Sequence, residues 1–105
     1  MAEFFNEAGY EVHEAYDGQD GLDKFVSDTY SVVVCDQEMP KIFGEKVIPE
    51  IKKRSSSQPV IMFSSRVYRF SEEKKIAIGA DEYIDPDDLG NMFTRLVEAV
   101  QRVER

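Results

Sequence analysis

Apolar positions along this chain fall into two patterns, helical spacing and short unbroken runs, and the two alternate. Phe4, Phe5 and Ala8 share a face in a helix over residues 2–8, with Gly9 placed as its C-terminal stop. Residues 10–15 (YEVHEA) are extended and partly alternating, which predicts a strand. Asp17 then stands as the N-cap of a helix burying Leu22, Phe25 and Val26. The run 31–35 (SVVVC) is continuously apolar and largely β-branched, as expected of a parallel strand covered on both faces, and it stops at Asp36.

After the loop QEMPKIFG, Val47, Ile48 and Ile51 mark the inward face of a helix in which Pro49 removes one backbone donor and predicts a kink or a delayed start. Residues 59–63 (PVIMF) form a second buried strand. Ser71 caps a helix through Ile78, which Gly79 stops, and residues 81–84 form a short last strand. Asp85-Pro86-Asp87-Asp88 reads as N-cap, first-turn proline and first-turn acids of a final helix burying Met92, Phe93, Leu96, Val97, Val100 and Val103. Alternating strands and helices with short loops predict an α/β three-layer sandwich: a parallel sheet of four strands between about five helices. Ligand chemistry on such sheets gathers at the carboxyl ends of the strands, here Asp36, Ser64 and the turn around Asp85.

At 105 residues and 42% apolar content the chain supports one domain, residues 1–105, with one core. A net charge of −8 argues against binding nucleic-acid phosphates or anionic lipid. One cysteine forms no internal disulfide, and the opening MAEFFNEAGYEV lacks the basic and apolar segments of a secretion signal, so a cytoplasmic location is expected.

Asp36 is the leading chemical candidate, as nucleophile, metal ligand or loop cap, because a stiff strand holds its carboxylate at the crevice. Ser64 places a hydroxyl at the end of the neighbouring strand. Asp81, Glu82, Asp85, Asp87 and Asp88 lack the alternation and central glycine of a calcium loop, and helix capping accounts for three of them. His13 is the only histidine and reads as a surface residue, while Cys35 reads as an inert core thiol. Nucleotide, dinucleotide and hydrolase motifs are absent.

The blocks EAGYEVHEAYDGQDGLDKF, YSVVVCDQEMPKIFG, PVIMFSS and IGADEYIDP, in that order, resemble the receiver domain of two-component response regulators. The resemblance implies a flavodoxin-like sheet in the order 2-1-3-4-5 and transfer of a phosphoryl group from a partner histidine kinase to an aspartate beside Mg²⁺. By position it implies Asp36 as phosphoacceptor, the Glu38 backbone carbonyl as a metal ligand, Ser64 as the switch hydroxyl and Tyr83 as the switch aromatic. Pro40 and Gly44 match the loop after the phosphorylation strand.

Three departures accompany the match. The chain begins at the family's first helix, without the first strand and its acidic pair; Asp85 precedes Pro86 where a lysine is expected; and Phe43 replaces a common aspartate. Mg²⁺, held by Asp36 and Glu38, is therefore expected to be weak, and Asp85 adds negative charge where a phosphoryl group needs a cation. The leading expectation is a degenerate, stand-alone receiver-like module, not an enzyme, that binds a histidine kinase or other signalling protein through a surface near Val67, Tyr68 and Phe70. The alternative is a functional receiver with Asp36 phosphorylated and the first strand lost or supplied in trans; a third reading is a truncated fragment without independent role. For the sheet, a homodimer through the open strand edge is favoured over residues 10–15 sliding in to pair with residues 31–36.

Overall fold

The computed structural model describes residues 2–26, 29–38, 40–63, 70–84 and 92–104. Among these the chain runs helix α1 (Ala2–Glu7), helix α2 (Gly18–Lys24), strand β1 (Val33–Asp36), helix α3 (Gly44–Arg54), strand β2 (Val60–Phe63), helix α4 (Glu72–Ile78), strand β3 (Glu82–Ile84) and helix α5 (Met92–Val103). The start and stop signals act as the sequence indicates. Asp17 accepts from the Asp20 N–H and Ser71 from the Lys74 N–H, while Gly9 and Gly79 take left-handed φ values of 96° and 84° past α1 and α4.

Helix α3 runs unbroken through Pro49. Losing one backbone bond and accommodating the ring costs about 3 kcal/mol, whereas burying an aliphatic side chain returns about 1.5–3 kcal/mol, and Val47, Ile48 and Ile51 are all buried. Three buried side chains outweigh one proline.

The sheet is parallel in the order β1-β2-β3, with Asp36 opposite Phe63 and Phe63 opposite Ile84. Central β2 alternates between two cores. Val60 and Met62 join Leu22, Cys35, Val47, Ile48, Ile51 and Ile78 beneath α2, α3 and α4, whereas Ile61 and Phe63 join Phe5, Ile84, Leu96, Ala99 and Val100 beneath α1 and α5. This is the expected three-layer sandwich.

The fourth strand is corrected: residues 10–15 form no ladder, and the sheet of the described residues has three strands. Tyr10 and Val12 pack on the α1/α5 core, so side chains, with no hydrogen-bonded neighbour strand, hold this segment. The alternative in which it pairs with β1 is likewise not seen. Val26 is also corrected, being 58% exposed, because α2 ends at Lys24 and Phe25 is already extended as the C-cap. Phe93 is 40% exposed instead of buried and stacks on Phe4 at 5.3 Å, joining α5 to α1 at the surface. The expected cap at 85–88 lies outside the described residues.

Candidate functional site

Asp36 ends β1 at the carboxyl edge of the sheet, and its Oδ1 accepts from the Glu38 N–H at 3.1 Å. Burial pushes its carboxyl up to about 6, the neighbouring Glu38 carboxyl adds to the rise, and the backbone N–H groups of Glu38 and Gln37 oppose it. The Asp36 carboxylate is therefore partly desolvated and lies beside a second carboxylate of this chain.

Gln37 follows and is only 3% exposed. Its N–H donates to the Phe63 carbonyl at 2.9 Å and its carbonyl accepts from the Gly44 N–H at 3.1 Å, tying the turn to β2 and to the start of α3. Its amide makes two further bonds to Glu45: Oε1 accepts from the Glu45 N–H at 2.8 Å and Nε2 donates to Glu45 Oε1 at 3.0 Å. Glu45 Oε2 pairs with Lys74 Nζ on α4 at 2.7 Å, and that contact leads in holding the Glu45 carboxyl below its ordinary range.

The loop between β1 and α3 is wedged against α2. Lys41 takes a left-handed φ of 70° and its Nζ lies 3.3 Å from Asp17 Oδ2. A side chain at Gly44 would place Cβ 2.6 Å from the Asp36 carbonyl oxygen, and one at Gly18 would lie 2.5 Å from that of Ile42. Both glycines allow backbone contact that no other residue permits.

Tyr83 turns its ring into the α2–α4 core, with its hydroxyl donating to the Lys75 carbonyl at 2.7 Å and accepting from the Ala80 N–H at 3.3 Å. Burial raises its pKa. Ser64, Asp85, Val67 and Tyr68 lie outside the described residues, so the expected switch hydroxyl and the aspartate before Pro86 have no placement here. Phe70, expected at the surface, is half-buried against the same core.

Asp81 and Glu82 are employed in structure, while Asp85, Asp87 and Asp88 lie outside the described residues. Asp81 Oδ2 accepts from Lys52 Nζ and from the Val60 N–H, both at 2.8 Å, and Glu82 pairs with Arg102 at 2.8 Å. Among the described residues no group of three or more His, Cys, Asp or Glu side chains is gathered to hold a metal. Asp36 and Glu38 offer hard oxygen donors of the kind Mg²⁺ takes, but few of them. Cys35 is 4% exposed with its thiol pushed up to about 12, chiefly by burial, as an inert core thiol should be. His13 is exposed beside Tyr30 and Glu11.

Sequence reasoning missed Gln37, Glu45 and the strain at Lys41. A signal for the first was present: Phe43 stands at the N-cap of α3 and has no side-chain acceptor, so an acceptor had to come from elsewhere.

The family described as the response regulator receiver domain matches residues 1–96. The response regulator ArlR of Staphylococcus aureus is 32% identical over 94 residues, covering 89% of this chain and 42% of its own length. The chain thus spans less than half of the curated relatives it matches. Among solved structures, the response regulator TrrA from Thermotoga maritima in complex with Mg²⁺-BeF is 31% identical, with a TM-score of 0.76 over 94% of this chain and 84% of that one. The non-phosphorylated HemR receiver domain from Leptospira biflexa, at 20% identity, shares the fold with a TM-score of 0.78 over 94% of this chain and 81% of that one. With the parallel sheet, the two helical layers and Asp36 at the carboxyl edge, these matches place the chain in the response regulator receiver family.

Proposed function

We propose that this receiver works by being recognised by a protein partner of a two-component system, a histidine kinase or another signalling protein, and that Asp36 does not hold a phosphoryl group stably. The observation that carries this reading is the field at Asp36. Burial and the Glu38 carboxyl raise its pKa, and in the sequence Asp85 replaces the lysine expected before Pro86. Phosphoryl transfer relies on positive charge around the oxygens, and these acids act in the opposite sense. Mg²⁺, when bound, would supply that charge. The Asp36 carboxylate and Glu38 would hold it, weakly, because Mg²⁺ needs further oxygens around it.

A second reading, a receiver phosphorylated at Asp36, is favoured by the placement of that carboxylate and by the likeness to TrrA, solved with Mg²⁺-BeF. Intact-mass measurement with a small-molecule phosphodonor and Mg²⁺ separates the two. No phosphate-sized adduct is expected; an adduct that disappears in Asp36→Asn establishes the second reading.

The proposal extends to assembly and location. Among the described residues β1 is hydrogen-bonded on its β2 side alone, which supports a homodimer through the other edge. No helix among the described residues is long and apolar enough to cross a membrane, and with the net charge of −8 this supports a cytoplasmic protein that binds neither lipid nor nucleic acid.

A further inference from the structure

We propose that the side chain of Gln37 is a positioning residue that latches helix α4 to the turn carrying Asp36, acting through Glu45 and Lys74. The first-turn N–H groups of a helix need acceptors, and Phe43 at the N-cap of α3 supplies none. Gln37 Oε1 takes the Glu45 N–H at 2.8 Å, and Gln37 Nε2 returns a bond to Glu45 Oε1 at 3.0 Å. This is the logic of a capping box, with the capping side chain contributed by the turn after β1 instead of the residue next to the helix. The Gln37 amide carries, on two separate atoms, both the acceptor and the donor this reciprocal pair requires.

The second carboxylate oxygen of Glu45 reaches α4, where Lys74 Nζ lies at 2.7 Å. α4 is thinly attached by packing, since its seven residues bury only Ile78 and leave Ile76 exposed. Polar contacts therefore carry a large share of its attachment: Lys74 Nζ with Glu45, and the carbonyl of the next residue, Lys75, with the Tyr83 hydroxyl. Gln37 cannot drift away from Asp36, because its backbone is fixed to Phe63 and Gly44. A displacement of the Asp36 turn must then either break the Gln37–Glu45 pair or carry Glu45, and Lys74 with it. Coupling of this kind is reciprocal, so loosening α4 loosens the amide of Gln37. The latch stands on this geometry whether or not Asp36 accepts a phosphoryl group.

Amide hydrogen exchange and side-chain amide resonances of the full chain test it in Gln37→Leu, Glu45→Gln, Lys74→Met and the double variant Gln37→Leu/Lys74→Met. Each single change is expected to speed exchange of the amides of residues 75–78 by about two- to fivefold, the range of a partly exposed ion pair. The double variant should do no more than the larger single one, because both cut the same chain, and the β2 amides should not change. Additive effects, or α4 amides indifferent to Gln37→Leu, overturn the proposal. If Gln37→Leu does not fold, the exposed Lys74→Met decides alone: it must shift the side-chain amide resonances of Gln37, and unmoved resonances reject the latch.

Discussion

The Tyr83 hydroxyl meets the Lys75 carbonyl at 2.7 Å, so the last strand is bonded to the end of α4 by a side chain that also packs in the core. The same oxygen accepts from the Ala80 N–H, and Lys75 Nζ sits 5.4 Å from the ring centroid. Removing the hydroxyl strips a partner from each of two backbone groups while leaving the ring in place. Tyr83→Phe is expected to lower stability by about 1–2 kcal/mol, seen as a lower urea midpoint with an unchanged m-value. Exchange should quicken at Ala80, whose N–H loses its acceptor.

Asp36 carries a cost that depends on pH. Its folded pKa of about 6 lies above the ordinary 3.8, so between those values the folded state binds more protons than the unfolded one. Stability should therefore fall as pH rises from about 4 to about 6 and then level off. Asp36→Asn keeps an acceptor for the Glu38 N–H and discards the charge. It is expected to raise stability at pH 7 by on the order of 1 kcal/mol and to have little effect at pH 4. Urea titrations at the two pH values check this, and equal gains at both would show that charge is not the cause.

How much of this was legible beforehand differs between fold and site. Helix boundaries were written in capping chemistry, so Asp17, Ser71, Gly9 and Gly79 could be read directly. The two apolar runs ending at Asp36 and Phe63 likewise announced strands, of which β2 is buried throughout whereas β1 buries Cys35 alone and leaves its other residues half-buried. Residues 10–15 misled because alternation describes one chain, whereas a strand exists only with a hydrogen-bonded neighbour. The site was less legible for the same reason. Asp36 followed from a local run, but the Gln37–Glu45–Lys74 chain joins three elements, and no spacing in the sequence encodes a contact between them.

Lys41 is a local cost of another kind. At a φ of 70° a side chain crowds the backbone, whereas glycine adopts that conformation freely. Its ion pair with Asp17 is largely exposed on the lysine side and offsets little. Lys41→Gly is expected to leave stability unchanged or raise it by up to about 1 kcal/mol, even though glycine in general loosens a chain. A drop in thermal midpoint larger than a few degrees would mean that the lysine contact outweighs the strain.

The edge of β1 that carries no ladder among the described residues leads to the remaining expectation. In a parallel ladder alternate residues turn their N–H and C=O groups to opposite sides, and Val33 and Gln37 donate to Pro59 and Phe63 on the β2 side. Val34, and Val32 just before the strand, therefore turn their backbone groups to the other side, where residues 10–15 form no ladder. Both valines are only partly buried, against the α1/α5 core. An apolar strand with one bare edge recruits another strand, and a second copy can do so about a twofold axis that pairs β1 with β1. Sedimentation across micromolar concentrations should show a monomer–dimer equilibrium, with the amides of Val32 and Val34 gaining exchange protection as the dimer forms. A monomer of 12.1 kDa at every concentration, with those amides exchanging freely, would mean that the edge stays solvated and the dimer is wrong.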